Sequence, residues 1–298
     1  MRSPGELAQI ACVAEVCAPK AGNVHPGADF EDMTWQDLVR SASVVTPILN
    51  RAAGLGVGAT VLESVLATRE AIGSNTNLGM LLLLAPLCAV PAKDELKAGL
   101  RSVLAGLDQS DTYAVYEAIA TAQPGGLGKV ERADVADGAP SMGLIDAMAL
   151  SAQRDAVARQ YANNFDDVLN TIAPRLVESY KRYSSLDQAI VWTHLKQMAD
   201  QPDTLIGRKC GAQIADESAK RAQSVIDADW PDGPEAAGRF EELDRWLRDQ
   251  GHQRNPGASA DLICAGLYAV LREAHIEWPA LWSSGFPEVH QIGDQSFS

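Results

Sequence analysis

The amino-acid sequence predicts an all-α protein, a single multi-helix, bundle-like domain with functional loops between its helices. Three observations predict it. Apolar residues recur at three- and four-residue spacing along most of the 298-residue chain. No run of four or more residues alternates as a half-buried strand would, and clusters of β-branched and aromatic residues are missing. Ala and Leu, strong helix formers, are abundant.

Taken in order, a first helix is expected over 5–17. Thr34-Trp-Gln-Asp37 makes a capping-box start, with Asp in place of the usual Glu or Gln, and Leu38, Val39, Ala42, Val45, Ile48 and Leu49 follow at helical spacing. Further helices are expected over 59–72, 77–89, 93–106, 111–121, 144–160 and 165–182. Ser185-Leu-Asp-Gln188 is a second capping box, and Ile190, Val191, Leu195 and Met198 then share one face. The last helices are expected over 208–227, 235–249 and 258–274. Long polar connections fall at 19–32 and 123–143, with shorter ones at 201–207, 228–234 and 251–257. No linker and no repeat of 20–50 residues divides the chain, so one domain is expected over 1–278, followed by an extended tail over 279–298.

Lys and Arg number 25 against 39 Asp and Glu, a net charge of −14. That balance argues against a nucleic-acid partner, which needs a basic surface, while leaving a local positive pocket open. Five scattered cysteines without a CxxC pair read as buried reduced thiols of a cytoplasmic protein. The N-terminus lacks the layout of a signal peptide, and the most apolar stretch, 80–91, is too short to span a bilayer, so no membrane partner is expected. The five histidines have no metal-binding spacing, and no GxSxG is present, so zinc and serine-hydrolase chemistry lack support.

Five constellations remain. Glu15 precedes Pro19-Lys20-Ala-Gly-Asn23-Val-His25, and Asp29, Glu31 and Asp32 follow. Several acids around one Lys-bearing loop either hold a cation such as Mg²⁺ together with substrate phosphates, or form a solvated cap on the next helix. Gly73-Ser-Asn75-Thr-Asn77-Leu-Gly79 leads into an apolar helix and suits either an anion or ordinary Asn capping. Pro124-Gly-Gly-Leu-Gly128-Lys129 is a flexible loop or a plain turn, since it lacks Walker spacing. In Asp203-Thr-Leu-Ile-Gly207-Arg208-Lys209, two cations at the expected start of a helix either grip a polyphosphate or are solvated. In Asn255-Pro-Gly257-Ala-Ser259-Ala-Asp261, an acid enters an Ala-rich helix, either to face a loop or metal or to balance the helix dipole.

In this order the five resemble the triphosphoribosyl-dephospho-CoA synthase family, and the resemblance covers roughly residues 12–272. It rests on Glu15-Val16, Pro19-Lys20-Ala-Gly22-Asn-Val24, Asp32-Met33, Asn75-Thr76-Asn-Leu-Gly79, Asp203-Thr204 with Arg208, and Asn255-Pro256-Gly257-Ala-Ser259-Ala260-Asp261. It implies an all-helical transferase that converts ATP and dephospho-CoA to triphosphoribosyl-dephospho-CoA and adenine. Where decarboxylase-linked members carry Asn-Thr-His-Lys-Gly, this chain has Asn75-Thr-Asn77-Leu78-Gly79. That variant resembles a divergent branch associated with methanopterin-type one-carbon cofactors, and the resemblance implies that triphosphate binding persists while either the acceptor or the reaction itself is open to change.

The roles expected on this basis are Glu15, Asp29 and Asp32 as catalytic groups, and Asp32 and Asp261 as ligands of Mg²⁺. Lys20, Arg208 and Lys209 are expected on phosphate, with Asn75, Asn77, Asn255 and Ser259 orienting the substrate. The expected partners are ATP or a related nucleotide and dephospho-CoA or another small acceptor, with a homodimer left open. The alternatives are a phosphotransferase or glycosyl hydrolase on the same scaffold, or a helical partner protein without catalysis.

Overall fold

The structure is a computed structural model that describes residues 2–74, 77–124, 135 and 138–276. Among these are fifteen α-helices, most joined by short turns but the first two by the long connection over 18–34, and Asp249–His252 is a four-residue strand. Asn75, most of the 123–143 connection and the tail over 279–298 lie outside the described residues.

Helix starts follow the capping chemistry of the sequence. Ser3 and Glu6 cap α1 (Pro4–Cys17) reciprocally, and Thr34 and Asp37 do the same for α2 (Trp35–Leu49). Short α3 (Ala52–Leu55) and α4 (Val57–Ile72) are separated by Gly56, at φ 85° and ψ 164°. Then come α5 (Leu78–Ala89), α6 (Leu96–Ala105) and α7 (Gln109–Ala122). Asp108 starts α7 with a capping box to Asp111, and Asp111 also accepts the Gly58 N–H at 2.7 Å, which ties α4 to α7.

Two expected helices are each divided in two. The 144–160 segment forms α8 (Leu144–Ser151) and α9 (Ala156–Ala162), because Asp155 turns its carboxylate onto the Val157 and Ala158 N–H groups and begins a new helix. The expected 208–227 helix is instead α12 (Thr204–Cys210) and α13 (Ala212–Asp227). Gly211, at φ 91° and ψ 158°, separates them in a conformation open essentially to glycine alone. Between these lie a π-helical turn, Asp167–Ile172, that leads into α10 (Ala173–Tyr183), and α11 (Leu186–Asp200). Finally α14 (Ala236–Arg248) precedes α15 (Gly257–Arg272).

The core is organised by α5 and α15. Every residue of α5 except Gly79 is buried, as is nearly every residue of α15 from Ala258 to Leu271. A helix that is apolar all round belongs inside a protein, with other helices covering each face. Accordingly α15 packs against α1, α5, α9, α10, α11 and α12, while α2, α4 and α7 continue the stack outward from α1 and α5. Where α5 meets α15, a Cβ on Gly79 would lie 1.9 Å from the Asp261 Oδ2. Only glycine permits that approach. Among the described residues no helix is long and apolar enough to cross a membrane.

Candidate active site

The end of α1 and the connection after it, the starts of α5 and α15, short α12, parts of α7, α8 and α9, and the chain at His252 and Asn255 converge on a cavity of about 830 Å³. Glu15, in the last turn of α1, reaches its wall with only 3% of its surface exposed. Beyond α1 the chain folds back, and the Lys20 ammonium lies 2.9 Å from the Glu15 carboxylate. It also donates to the carbonyls of Glu15 and Ala18. An ammonium has three protons, and these three acceptors use them all. Lys20 is 0% exposed and off the cavity wall, so the residue expected on phosphate serves Glu15 instead. Burial pushes the Glu15 carboxyl above its ordinary range, and Lys20 pulls it back.

Asp261 lies on the same wall, beside Gly79. Burial raises its pKa well above the ordinary value, nearby Glu15, Asp203 and Asp155 raise it further, and Arg208 opposes them. Asp203, which precedes α12, spends one oxygen on the N–H groups of Leu205 and Ile206, at 2.8 and 3.1 Å. Its other oxygen accepts from the Ser259 N–H and hydroxyl, at 2.7 and 2.8 Å. Ser259, expected to orient substrate, therefore clamps α12 to α15 and is not on the wall.

Arg208 and Lys209 both face the cavity. The sequence places them at the start of a long helix; they are in the last turn of short α12, because Gly211 ends it. The dipole that would oppose them at a helix start favours them at a helix end. Arg208 lies 2.9 Å from the Asp155 carboxylate, which orients the guanidinium. Burial lowers the Lys209 pKa.

Asp32 is exposed at the rim, 3.6 Å from the His252 Nε2. Phe30 stacks on His252 with ring centroids 5.1 Å apart, and both rings line the cavity. Asp29, by contrast, accepts the Trp35 N–H at 2.8 Å and is not on the wall. The first residue before α5, Asn77, is on the wall, and so is Asn255. Asn255 donates to the Asn23 Oδ1 at 3.3 Å.

The structure thus brings together Glu15, Asp32, Asn77, Arg208, Lys209, Asn255 and Asp261, and places Lys20, Asp29 and Ser259 elsewhere. Asn75 is outside the described residues. Phe30, Asp155 and His252 join the site without any role expected from the sequence. Phe30 lies between Asp29 and Glu31 with nothing in its spacing to mark it, Asp155 falls inside the expected 144–160 helix, and His252 has no metal-binding spacing. Among the described residues no three His, Cys, Asp or Glu side chains are grouped to hold a metal. Mg²⁺, however, commonly takes one or two carboxylates and completes its shell with phosphate oxygens and water. Asp261, crowded by other acids, is the carboxylate such an ion would relieve.

The model of the family described as ATP:dephospho-CoA triphosphoribosyl transferase matches residues 1–280. The chain belongs to this family. A crystal structure from Archaeoglobus fulgidus, provisionally named a triphosphoribosyl-dephospho-CoA synthase, is 22% identical and superposes with a TM-score of 0.63. The match covers 80% of this chain and 100% of that one, and it supports the all-α architecture. No curated protein matches by sequence. As a triphosphoribosyl-dephospho-CoA synthase-like transferase, the protein has a cavity in which cations and carboxylates face each other, the pairing that transfer of a phosphorylated sugar demands.

Proposed function

We propose that the cavity binds ATP and transfers its triphosphoribosyl group to the hydroxyl of dephospho-CoA or a related acceptor, releasing adenine. The observation that supports this most directly is that Arg208 and Lys209 share one cavity with Glu15 and Asp261. In this reading the two cations bind the triphosphate, and the Phe30 and His252 rings form an apolar wall for a base. The bond between the ribose C1 and the adenine nitrogen breaks as a bond forms from C1 to the acceptor oxygen. The acceptor loses one proton and adenine leaves with one, so the count closes. Glu15, made more basic by burial and oriented by Lys20, takes the acceptor proton, and Asp32 provides a second carboxylate at the rim. Asp261 and Asp32 would hold Mg²⁺, which supplies neutralisation of the triphosphate charge when bound.

One observation favours a second acceptor. Leu78 is on the cavity wall at the position where decarboxylase-linked members carry Lys, and Asn77 replaces their His. A wall without that ammonium and imidazole suits a less anionic acceptor, such as a precursor of a one-carbon cofactor. Mass spectrometry of protein incubated with ATP and Mg²⁺, with and without dephospho-CoA, tests both. Acceptor-dependent adenine and a triphosphoribosyl adduct are expected. Free adenine only with another acceptor would select the second reading, and ADP or AMP in place of adenine would overturn both.

A further inference from the structure

His194 is 0% exposed in the middle of α11, off the cavity wall and outside every motif discussed above. Its Nε2 lies 3.1 Å from the Nδ2 of Asn23, and Asn23 in turn accepts from Asn255 through Oδ1. Asn23 and Asn255 both line the cavity. We propose that His194 is a positioning residue, which fixes the donor and acceptor sense of the Asn23–Asn255 pair and so the polarity that Asn255 shows a ligand. The proposal deepens, and rests on, the reading of the cavity as the substrate site.

The argument is one of hydrogen-bond directions. An amide nitrogen can only donate, so with Asn23 in this orientation the imidazole Nε2 accepts and the ring proton sits on Nδ1, which is buried and makes no hydrogen bond of its own. Burial, with the Lys20 charge nearby, drives the His194 pKa down to about 3, so the ring stays neutral. A protonated or Nε2–H ring would set two donors face to face. With the Asn23 nitrogen committed to His194, its oxygen must point at Asn255, which then has to offer N–H. The second Asn255 N–H and its Oδ1 are what remain for a ligand, as an edge of fixed sense. A matching ligand carries an acceptor beside a donor, as an amide or an aminopurine edge does.

The backbone under Asn23 is held as firmly. The Gly22 N–H donates to Asp244 at 2.7 Å, and Arg248, paired with that same Asp244, donates to the Asn23 carbonyl. Gly22 has a φ of 73°, and a Cβ there would meet Leu247 at 2.7 Å. Thus α14 fixes the Asn23 main chain and α11 fixes its side chain. Neither helix supplies the contact to ligand itself.

The test compares H194F, which removes the acceptor, with H194Q, whose side-chain oxygen can still accept from Asn23. Steady-state adenine release and thermal unfolding are measured for both. We expect H194F to raise KM and lower kcat/KM by about tenfold, the worth of one hydrogen bond. H194Q should recover most of that loss even though both variants unfold at lower temperature. Unchanged kcat/KM in folded H194F, or equal losses in both variants that track their stability, would overturn the proposal. If the wild-type protein releases no adenine, the reading of the reaction fails, and nitrogen NMR decides the inference separately. A neutral, Nδ1-protonated His194, with an Asn255 amide signal that moves in H194F and not in H194Q, is then the expected result. An Nε2-protonated or charged ring overturns it.

Discussion

Burying the Lys20 ammonium makes sense only beside Glu15, and burying Glu15 only beside Lys20. The attraction within such a pair is offset by the loss of hydration, but removing one partner leaves an isolated buried charge. Lys20→Met should therefore destabilise the protein by about 3–5 kcal/mol. The double variant Lys20→Met, Glu15→Gln should regain most of that, as read from denaturant midpoints. Asp261 shows the opposite balance. Its folded pKa lies above its unfolded value, so its contribution to stability is fully present below the ordinary carboxyl range and is lost as pH rises through the folded value. Asp261→Asn should remove that loss and raise the melting temperature at neutral pH, while lowering kcat by about 100-fold or more. A drop in melting temperature would mean that the carboxylate is held for structure.

At the scale of helices, glycines decide where the chemistry sits. Gly79→Ala puts a methyl where the Asp261 carboxylate now lies, 1.9 Å from Oδ2. The carboxylate must move, and if Asp261 acts as proposed a shift of that size in the site should cost about 100-fold in turnover. Circular dichroism should stay helical while activity falls. Gly211→Ala should cost about 1–3 kcal/mol, because φ 91° with ψ 158° excludes a side chain. It should also weaken nucleotide binding, since the turn it ends carries Arg208 and Lys209. These breaks explain what was legible in the sequence. Helix existence and the Thr34 cap follow from spacing and side-chain chemistry, which are local. The divisions at Asp155 and Gly211 were invisible to periodicity, because apolar spacing runs on through both. The same limit hid the roles of Lys20 and Ser259. A motif names the residue, but its partner, Glu15 across a turn or Asp203 on another helix, is set by packing.

For the whole molecule, site and core are continuous: α5 and α15 form the centre and also carry Asn77, Gly79 and Asp261 to the cavity. Ligand binding should therefore stabilise the entire fold. At 100 times the dissociation constant, ATP with Mg²⁺ should add about 2.7 kcal/mol, seen as a higher melting temperature. Arg208→Ala should abolish most of that shift, and a chelator should reduce it. An unmoved melting temperature in the wild-type protein would argue for a scaffold that no longer binds nucleotide.

The close packing of α1 with α15 joins segments from opposite ends of the chain. During synthesis α1 and α5 leave the ribosome long before residues 257–272 exist, so the apolar surface of α5 waits without its cover. A ribosome that stalls or terminates before α15 yields a chain with neither a finished core nor an Asp261, and quality control meets an adhesive helix rather than a half-active enzyme. Translation thus delivers the Asp261 carboxylate of the cavity and the seal on the interior in the same late segment.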